Sequence, residues 1–284
     1  KTKNHVIIDG NTAAGLGCVY AGATVGAWYP LTPSTSVMDS YQAFCSQYRK
    51  SKDGKNNFCI IQAEDELAAI GMVLGATWNG ARAFTPTSGP GISLMSEFIG
   101  FAYYSELPAV LFNIQRTGPS TGMPTRTQQC DLLLCAYASH GDTKHPMLFP
   151  ANPEECFYMT LAAFDLADEL QTPVFLMSDL DVGMNDWMCK DLEWNKNYKP
   201  KRGKVLSSDQ LEKIEKFYRY YDSDGDGIPY RSLPGVHPKG SFFTRGSGHN
   251  KYGGYTEDGD EYQEVVDRLK VKWNTARKML PESK

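Results

Sequence analysis

Gln62-Ala63-Glu64-Asp65-Glu66-Leu67-Ala68-Ala69-Ile70-Gly71 reads as a short strand that ends in carboxylates and opens a helix of small residues. Downstream, Thr87-Ser88-Gly89-Pro90-Gly91 reads as a second strand end, turning through a glycine-rich loop into another helix. As an ordered pair they put an acidic side chain and a bare backbone loop at one edge of an α/β sheet, where such folds keep their ligands.

Outward from this pair, strand and helix signals alternate as far as Asp181. That alternation predicts an open, mostly parallel sheet with helices on both faces. Val6-Ile7-Ile8 reads as a short strand or entry segment, and Asn11 as the N-cap of an Ala/Gly-rich helix over 12–23. Pro33-Ser34-Thr35 opens a helix to about Ser46, 57–62 is a strand, 64–78 a helix, 81–85 a strand and 91–104 a helix. A buried strand over 108–115 leads into a loop over 116–127. Strands at 147–149 and 174–177 flank a helix over 154–170, whose start carries Pro153, Glu154 and Glu155, residues suited to a first turn. Beyond Trp187 the pattern becomes polar and irregular, with helices expected over 208–220 and 261–280 and a Gly/Pro/Asp-rich segment between them. The expected division is therefore an α/β domain over 1–185 and a loop-rich extension over 186–284 that wraps the domain or a partner.

Composition narrows the class. Apolar residues make up 41% and charged residues 22% of 284, ordinary values for a globular protein. A net charge of −4 and the lack of a basic, aromatic-interleaved stripe argue against nucleic acid. No run approaches the ~20 apolar residues of a membrane span, and no signal segment opens the chain. The start, Lys1-Thr2-Lys3, lacks methionine, which suits an excised or processed part of a longer polypeptide. The seven cysteines form no CxxC pair. A reducing, cytoplasmic setting is expected, with no disulfide framework, zinc site or iron–sulfur cluster on this chain.

Glu66 is the leading candidate for chemistry. On a helix it shares a face with Ala69, Ile70 and Val73. There a carboxyl group is partly desolvated while the helix N-terminus favours its anion, a balance suited to proton exchange with a heterocyclic nitrogen. The competing reading is that Glu64, Asp65 and Glu66 only complement the helix dipole. Thr87, Ser88, Gly89, Pro90 and Gly91 could present backbone N–H groups to an anion or let a planar ligand approach closely, or form a structural turn. Gly10, Gly15 and Gly17 have the wrong spacing for a dinucleotide fingerprint. Thr32, held between Pro30 and Pro33, is free to hydrogen-bond a ligand, and Arg116 suits bidentate capture of a carboxylate or a structural salt bridge. Asp222, Asp224 and Asp226, with Gly227, copy the first half of a calcium loop, but Leu233 stands where a bidentate glutamate belongs. They are weak metal candidates beside the alternative of a turn cluster. His237 and His249 read as polar packing, and His140 as a helix cap or a ligand contact.

With these residues in place, the chain resembles the alpha subunit of the 2-oxoacid:ferredoxin oxidoreductases, closest to the 2-oxoglutarate type. The resemblance rests on the Asn11 helix, Tyr29-Pro30-Leu31-Thr32-Pro33-Ser34-Thr35, Ala63-Glu64-Asp65-Glu66, Thr87-Ser88-Gly89-Pro90-Gly91 and Gln115-Arg116-Thr117-Gly118-Pro119-Ser120-Thr121-Gly122. Asp224-Gly225-Asp226-Gly227-Ile228-Pro229-Tyr230-Arg231 and Phe243-Thr244-Arg245-Gly246-Ser247-Gly248-His249 extend it. It implies a fold similar to the pyrimidine-binding domain of thiamine diphosphate enzymes. Glu66, whose spacing to Gly75 fits the family better than that of Glu64, would contact N1′ of the aminopyrimidine and favour its imino form. Thr87–Gly91 would line the cofactor, while Thr32 and Arg116 hold the substrate carboxylate. The implied reaction is oxidative decarboxylation of 2-oxoglutarate to an acyl-coenzyme A, with electrons passing to ferredoxin. The cofactor diphosphate, magnesium and iron–sulfur clusters would lie on a separate beta subunit, in a homodimer of alpha–beta units, and this chain by itself would be inactive. Family alpha chains typically carry a further C-terminal α/β domain, and some a gamma-like domain in front, neither of which is in this sequence. The rival expectations are pyruvate or a branched-chain 2-oxoacid as substrate, a non-catalytic assembly domain, and a dinucleotide-binding oxidoreductase.

Overall fold

The computed structural model describes residues 3–282, so Lys1 and Thr2 of the chain start lie outside the described residues. Six parallel strands form one sheet in the order β3-β2-β4-β5-β7-β6: β2 Val25–Trp28, β3 Cys59–Gln62, β4 Ala83–Thr87, β5 Ala109–Gln115, β6 Met147–Leu148 and β7 Pro173–Asp179. This is the mixed α/β, open parallel sheet predicted from the alternation of signals. Parallel neighbours need crossover connections, and α2 (Thr35–Tyr48), α3 (Glu66–Trp78), α4 (Gly89–Ser105) and α6 (Pro153–Leu170) supply them. β5 and β7 are buried on both faces: Val110, Phe112, Ile114, Val174 and Leu176 join the core under α2, α6 and α1 (Gly10–Tyr20). Leu111, Phe175 and Met177 join the core under α3 and α4. Both faces being covered is why these strands read as continuous apolar runs.

Several local expectations change. The N-cap of α1 is Asp9, whose side chain accepts from Thr12 N at 2.7 Å. Asn11 instead sits inside the first turn, buried, and its Nδ2 donates to Pro33 O at 2.9 Å and Ser36 Oγ at 2.8 Å. β1 (His5–Ile8) lies outside the main sheet, pairing antiparallel with β8 (Trp187–Lys190), a strand within the segment read as irregular. The helix expected over 208–220 is only α8 (Ser208–Lys213). Beyond it an irregular chain buries Phe217, Arg219 and Tyr220 together, tertiary burial overriding local helix propensity. The last helix, α9 (Gly259–Met279), has Asp258 as its cap and buries Val265, Leu269, Lys272 and Ala276. No helix among the described residues is long and apolar enough to cross a membrane.

Two buried ion networks fix the later segments against the sheet. Arg82 bonds Asp165 at 2.7 Å and Asp168 at 2.8 Å, and Asp168 also receives Arg231 at 2.9 Å. Glu106, fully buried at the end of α4, is bonded by Arg268 and, at 2.9 Å, by Lys272, both from α9. Burial alone would raise the Glu106 carboxyl, but Arg268 and Lys272 outweigh it and hold the group well below the usual carboxylate range. Its stabilising contribution is thus complete at neutral pH and is lost progressively as acid carries the pH from the ordinary carboxylate range down through that depressed value.

Removing one partner of such a cluster leaves uncompensated buried charge. Glu106→Gln is expected to cost about 3–5 kcal/mol of unfolding free energy, read as a lower urea midpoint at unchanged slope. Lys272 behaves oppositely: burial, against the pull of Glu106, pushes it down to about 8 from 10.5. Across that window the unfolded chain holds more protons than the folded one, so stability rises with pH. Subtracting the stability of Lys272→Met from that of the native chain should give a difference that climbs from about 8 to 10.5.

Candidate active site

The predicted residues follow the carboxyl ends of four neighbouring strands. Thr32 follows β2, Glu66 follows β3, the Thr87–Gly91 stretch straddles the end of β4, and Arg116 follows β5. The chain adds β3 on one side of β2 and β4 on the other, which makes the β2/β4 gap the topological switch point where crevices open in such sheets.

Helix α3 begins at Glu66, two residues later than expected, and the division of labour among the three acids explains its geometry. Asp65 is the cap, accepting from Ala68 N at 2.7 Å, and Glu64 and Asp65 face solvent. Glu66 is thereby free to turn inward, where it is 5% exposed. It makes no hydrogen bond or ion pair among the described residues, so a buried carboxyl group is left with unused acceptor capacity.

Gly91 sets how close α4 comes. A Cβ there would lie 1.9 Å from Thr87 Oγ1 and 2.9 Å from Glu66 Cγ, so only glycine permits this three-way contact. The stretch is not the loop expected from sequence. β4 runs through Thr87, Ser88 is a single extended junction, and Gly89, Pro90 and Gly91 form the first turn of α4. Proline serves there because its ring pre-sets the helical φ and its missing N–H would have had no helical partner. Gly91 N and Ile92 N both close onto Ser88 O, at 2.9 and 3.1 Å, so those two N–H groups are spent inside the helix. The glycines therefore supply close packing of α4 against Thr87, Glu66 and Asp131 rather than an anion nest. Ser88 Oγ is buried without a partner among the described residues.

Arg116, 5% exposed, is held by main-chain oxygens: Nη1 donates to Thr32 O at 2.6 Å and Nη2 to Thr121 O at 3.1 Å. Its Nε is buried and unpartnered, and no carboxylate lies within ion-pair distance among the described residues. Burial pushes the guanidinium down, opposed by Asp131 and Glu66. The structural salt bridge weighed from sequence is thus absent among the described residues, and the edge bearing Nε is what remains for a carboxylate. Thr32 is exposed, and it is its backbone carbonyl that orients Arg116. A cavity of about 440 Å³ opens beside these groups, lined by Gly89, Pro90, Ser93, Arg116, Ser120 and Asp131.

Sequence reading passed over Asp131. Its Oδ2 accepts from Asn113 Nδ2 at 3.1 Å, its backbone N–H donates to Gln115 Oε1 at 3.2 Å, and a Cβ at Gly89 would come within 2.7 Å of Oδ2. No motif flags it, because its neighbours come from β5 and α4. The acidic loop, by contrast, is spent elsewhere: Asp222 accepts from Gly225 N and Gly227 N, and Asp224 and Asp226 pair with Lys204. Among the described residues no group of His, Cys, Asp and Glu is arranged to hold a metal, and all seven cysteines are free thiols. His249 is buried against Tyr220, His237 bonds Glu212 at 2.8 Å, and His140 lies on the surface 3.8 Å from Glu97.

Comparison with known proteins gives the chain's relatives. The family model described as "Pyruvate flavodoxin/ferredoxin oxidoreductase, thiamine diP-bdg" matches residues 16–204. The alpha subunit of 2-oxoacid:ferredoxin oxidoreductase 1 from Sulfurisphaera tokodaii is 34% identical over 99% of this chain and 44% of its own length. The 2-oxoglutarate synthase subunit KorA of Methanothermobacter thermautotrophicus is 42% identical over 62% of this chain and 45% of its own. A solved 2-oxoglutarate:ferredoxin oxidoreductase from Magnetococcus marinus, with 2-oxoglutarate, coenzyme A and succinyl-CoA bound, superposes with a TM-score of 0.89 at 29% identity. That match covers 99% of this chain and 46% of the other. The chain thus spans less than half the length of these relatives.

Two helix glycines give a paired test of the site's packing. Gly91→Ala should cost about 1–3 kcal/mol as Thr87 and Glu66 are forced aside. Gly75, where a Cβ meets nothing within 4 Å, should accept alanine with a gain of about 0.5–1 kcal/mol. Urea unfolding of the two variants separates them by sign.

Proposed function

The chain belongs to the pyruvate flavodoxin/ferredoxin oxidoreductase family, in its thiamine diphosphate-binding part, and from that premise we propose that it supplies the carboxylate-bearing half of an active site that decarboxylates 2-oxoglutarate oxidatively. The observation that carries the proposal is Glu66: buried, unpaired, and pressed against the only residue type that lets α4 come so near. A bound aminopyrimidine fits there, since its ring nitrogen would give the carboxyl group the partner it lacks among the described residues. Thiamine diphosphate, when bound, supplies the nucleophilic carbon and the electron sink that decarboxylation of a 2-oxoacid needs.

This chain's residues then have separate tasks. Glu66 holds and exchanges a proton at N1′ of the pyrimidine. Thr87, Ser88, Gly89, Pro90 and Gly91 form the wall it rests on, with Ser88 Oγ free to bond it. Arg116 offers its Nε edge to the substrate carboxylate, oriented by the Thr32 carbonyl, and Thr32 adds its exposed hydroxyl. The rim is unfinished: Leu94 on α4 and Leu133 are 56% and 77% exposed, and Met123 is 55% exposed. Such apolar surface suits cover by another chain. We assign that cover to a beta subunit carrying the diphosphate site, magnesium and the iron–sulfur clusters, within a cytoplasmic homodimer of alpha–beta units that uses coenzyme A and ferredoxin. In this reading 1–185 bears the site and 186–284 is the extension that braces it. Pyruvate or a branched-chain 2-oxoacid is the alternative substrate, favoured by the broader 2-oxoacid naming of one relative.

The test is coenzyme A-dependent reduction of a viologen dye by this chain assembled with a beta partner. 2-Oxoglutarate should give the highest kcat/KM; pyruvate in first place would transfer the assignment to the alternative. Glu66→Gln should lower kcat by roughly 10²–10⁴-fold, the range of a general acid–base group. Unchanged turnover would mean that the domain serves assembly only.

A further inference from the structure

The Asp222 loop, which the proposed chemistry does not use, has a cation in it. In a calcium loop, oxygen ligands come from positions 1, 3, 5, 7 through its backbone carbonyl, and 9, with glycine at 6. Counted from Asp222, these are Asp224, Asp226, the Ile228 carbonyl and Tyr230, with Gly227 as the glycine. Lys204 Nζ lies 2.7 Å from Asp224 Oδ2, 2.8 Å from Asp226 Oδ1 and 2.9 Å from Ile228 O, and 5.2 Å from the centre of the Tyr230 ring. An ammonium has three N–H donors, and here each has an oxygen. Asp222 shapes the loop as the first residue of a calcium loop does, accepting from Gly225 N at 2.9 Å and Gly227 N at 2.7 Å.

The loop is also anchored. Gly227 has φ +82, and a Cβ there would meet Lys272 N at 2.1 Å, so the loop sits directly on α9. Thr275 Oγ1 donates to Asp226 O at 2.7 Å and Arg268 Nη1 to Gly227 O at 2.9 Å. Lys204 arrives from a separate segment, whose next residue, Val205, bridges to Arg231. Burial would lower the ammonium, but Asp224 and Asp226 overcome that and raise it, so it stays charged.

We propose that this is a cation site of calcium-loop type whose resident cation is the chain's own Lys204 ammonium, which keeps divalent ions out and staples the 200–206 segment to α9. A tethered cation needs no encounter and loses no translational freedom on binding, whereas a free ion must. The loop also lacks the twelfth-position glutamate, the bidentate ligand that a calcium loop supplies to a divalent ion. Removal of the ammonium should leave a loop that takes calcium.

Thermal unfolding of the whole chain, in chelator and in calcium at about ten times the millimolar affinity of weak loops, tests this. The native chain should show the same midpoint in both. Lys204→Met should melt several degrees lower in chelator and recover at least half of that loss in calcium. It should also gain terbium luminescence sensitised by Tyr230, which the native chain lacks. A calcium-dependent rise in the native chain, a variant as stable as the native chain in chelator, or a destabilised variant indifferent to calcium would each overturn the proposal. If Lys204→Met does not fold, the variant that also carries Asp224→Asn and Asp226→Asn should fold without calcium, because the two carboxylates that the ammonium met are gone with it. Failure of that variant would likewise overturn it.

Discussion

Glu106 stands at the end of α4 in a left-handed backbone conformation, φ 57, with its carboxylate sealed from water. An ionised carboxylate in that position is unaffordable unless cations meet it, and Arg268 and Lys272 do so from α9 while Arg219 donates to its backbone carbonyl at 2.7 Å. The consequence reaches the other end of the same helix. α4 is one rigid rod from Gly89 to Ser105, so fixing its carboxyl end in the ion cluster fixes where Gly91 meets Glu66. The later segments thus act on the site without touching it. Charges paired at the end of α4 anchor the same helix whose start packs Gly91 against Thr87 and Glu66.

The second network lies at the same amino-terminal edge of the sheet, just before β4 as Glu106 is just before β5. Asp165 and Asp168 lie on one face of α6, and Arg82, Arg202 and Arg231 converge on them from three separated stretches. Buried ion pairs of this kind add little net stability over well-packed apolar residues, because desolvation offsets most of the attraction. What they do add is discrimination, since an alternative path for the later segments would bury those charges unpaired. Together with the Lys204 staple, the networks specify one route for a segment that is poor in regular structure.

At the carboxyl edge of the sheet, how much was legible depended on the range of the interaction. Strand–helix alternation is local, and the six-strand parallel sheet follows from it. The acids at 64–66 and the glycines at 89 and 91 could be named from sequence, because a strand end followed by a helix start is also a local signal. Their partners could not. That Asp65 caps, leaving Glu66 to turn inward, depends on how α3 docks beside α4. That Arg116 spends two donors on carbonyls of Thr32 and Thr121 depends on loops after different strands. The misreading of Asn11 has the same root: its amide bonds the start of α2, and Asp9 was the nearer cap.

The parallel α/β class, the crossover helices of the main sheet and the strand ends that carry acid, glycine and arginine are legible in the chain alone, because periodicity and helix-start chemistry act over a few residues. Which buried charges meet is a matter of the folded arrangement: Glu106 with α9, Asp168 with three arginines, Lys204 with the Asp222 loop. Those pairings join residues far apart in the chain, and no local pattern encodes a partner. They exist because a charge taken out of water must find its opposite wherever the folded backbone brings one near.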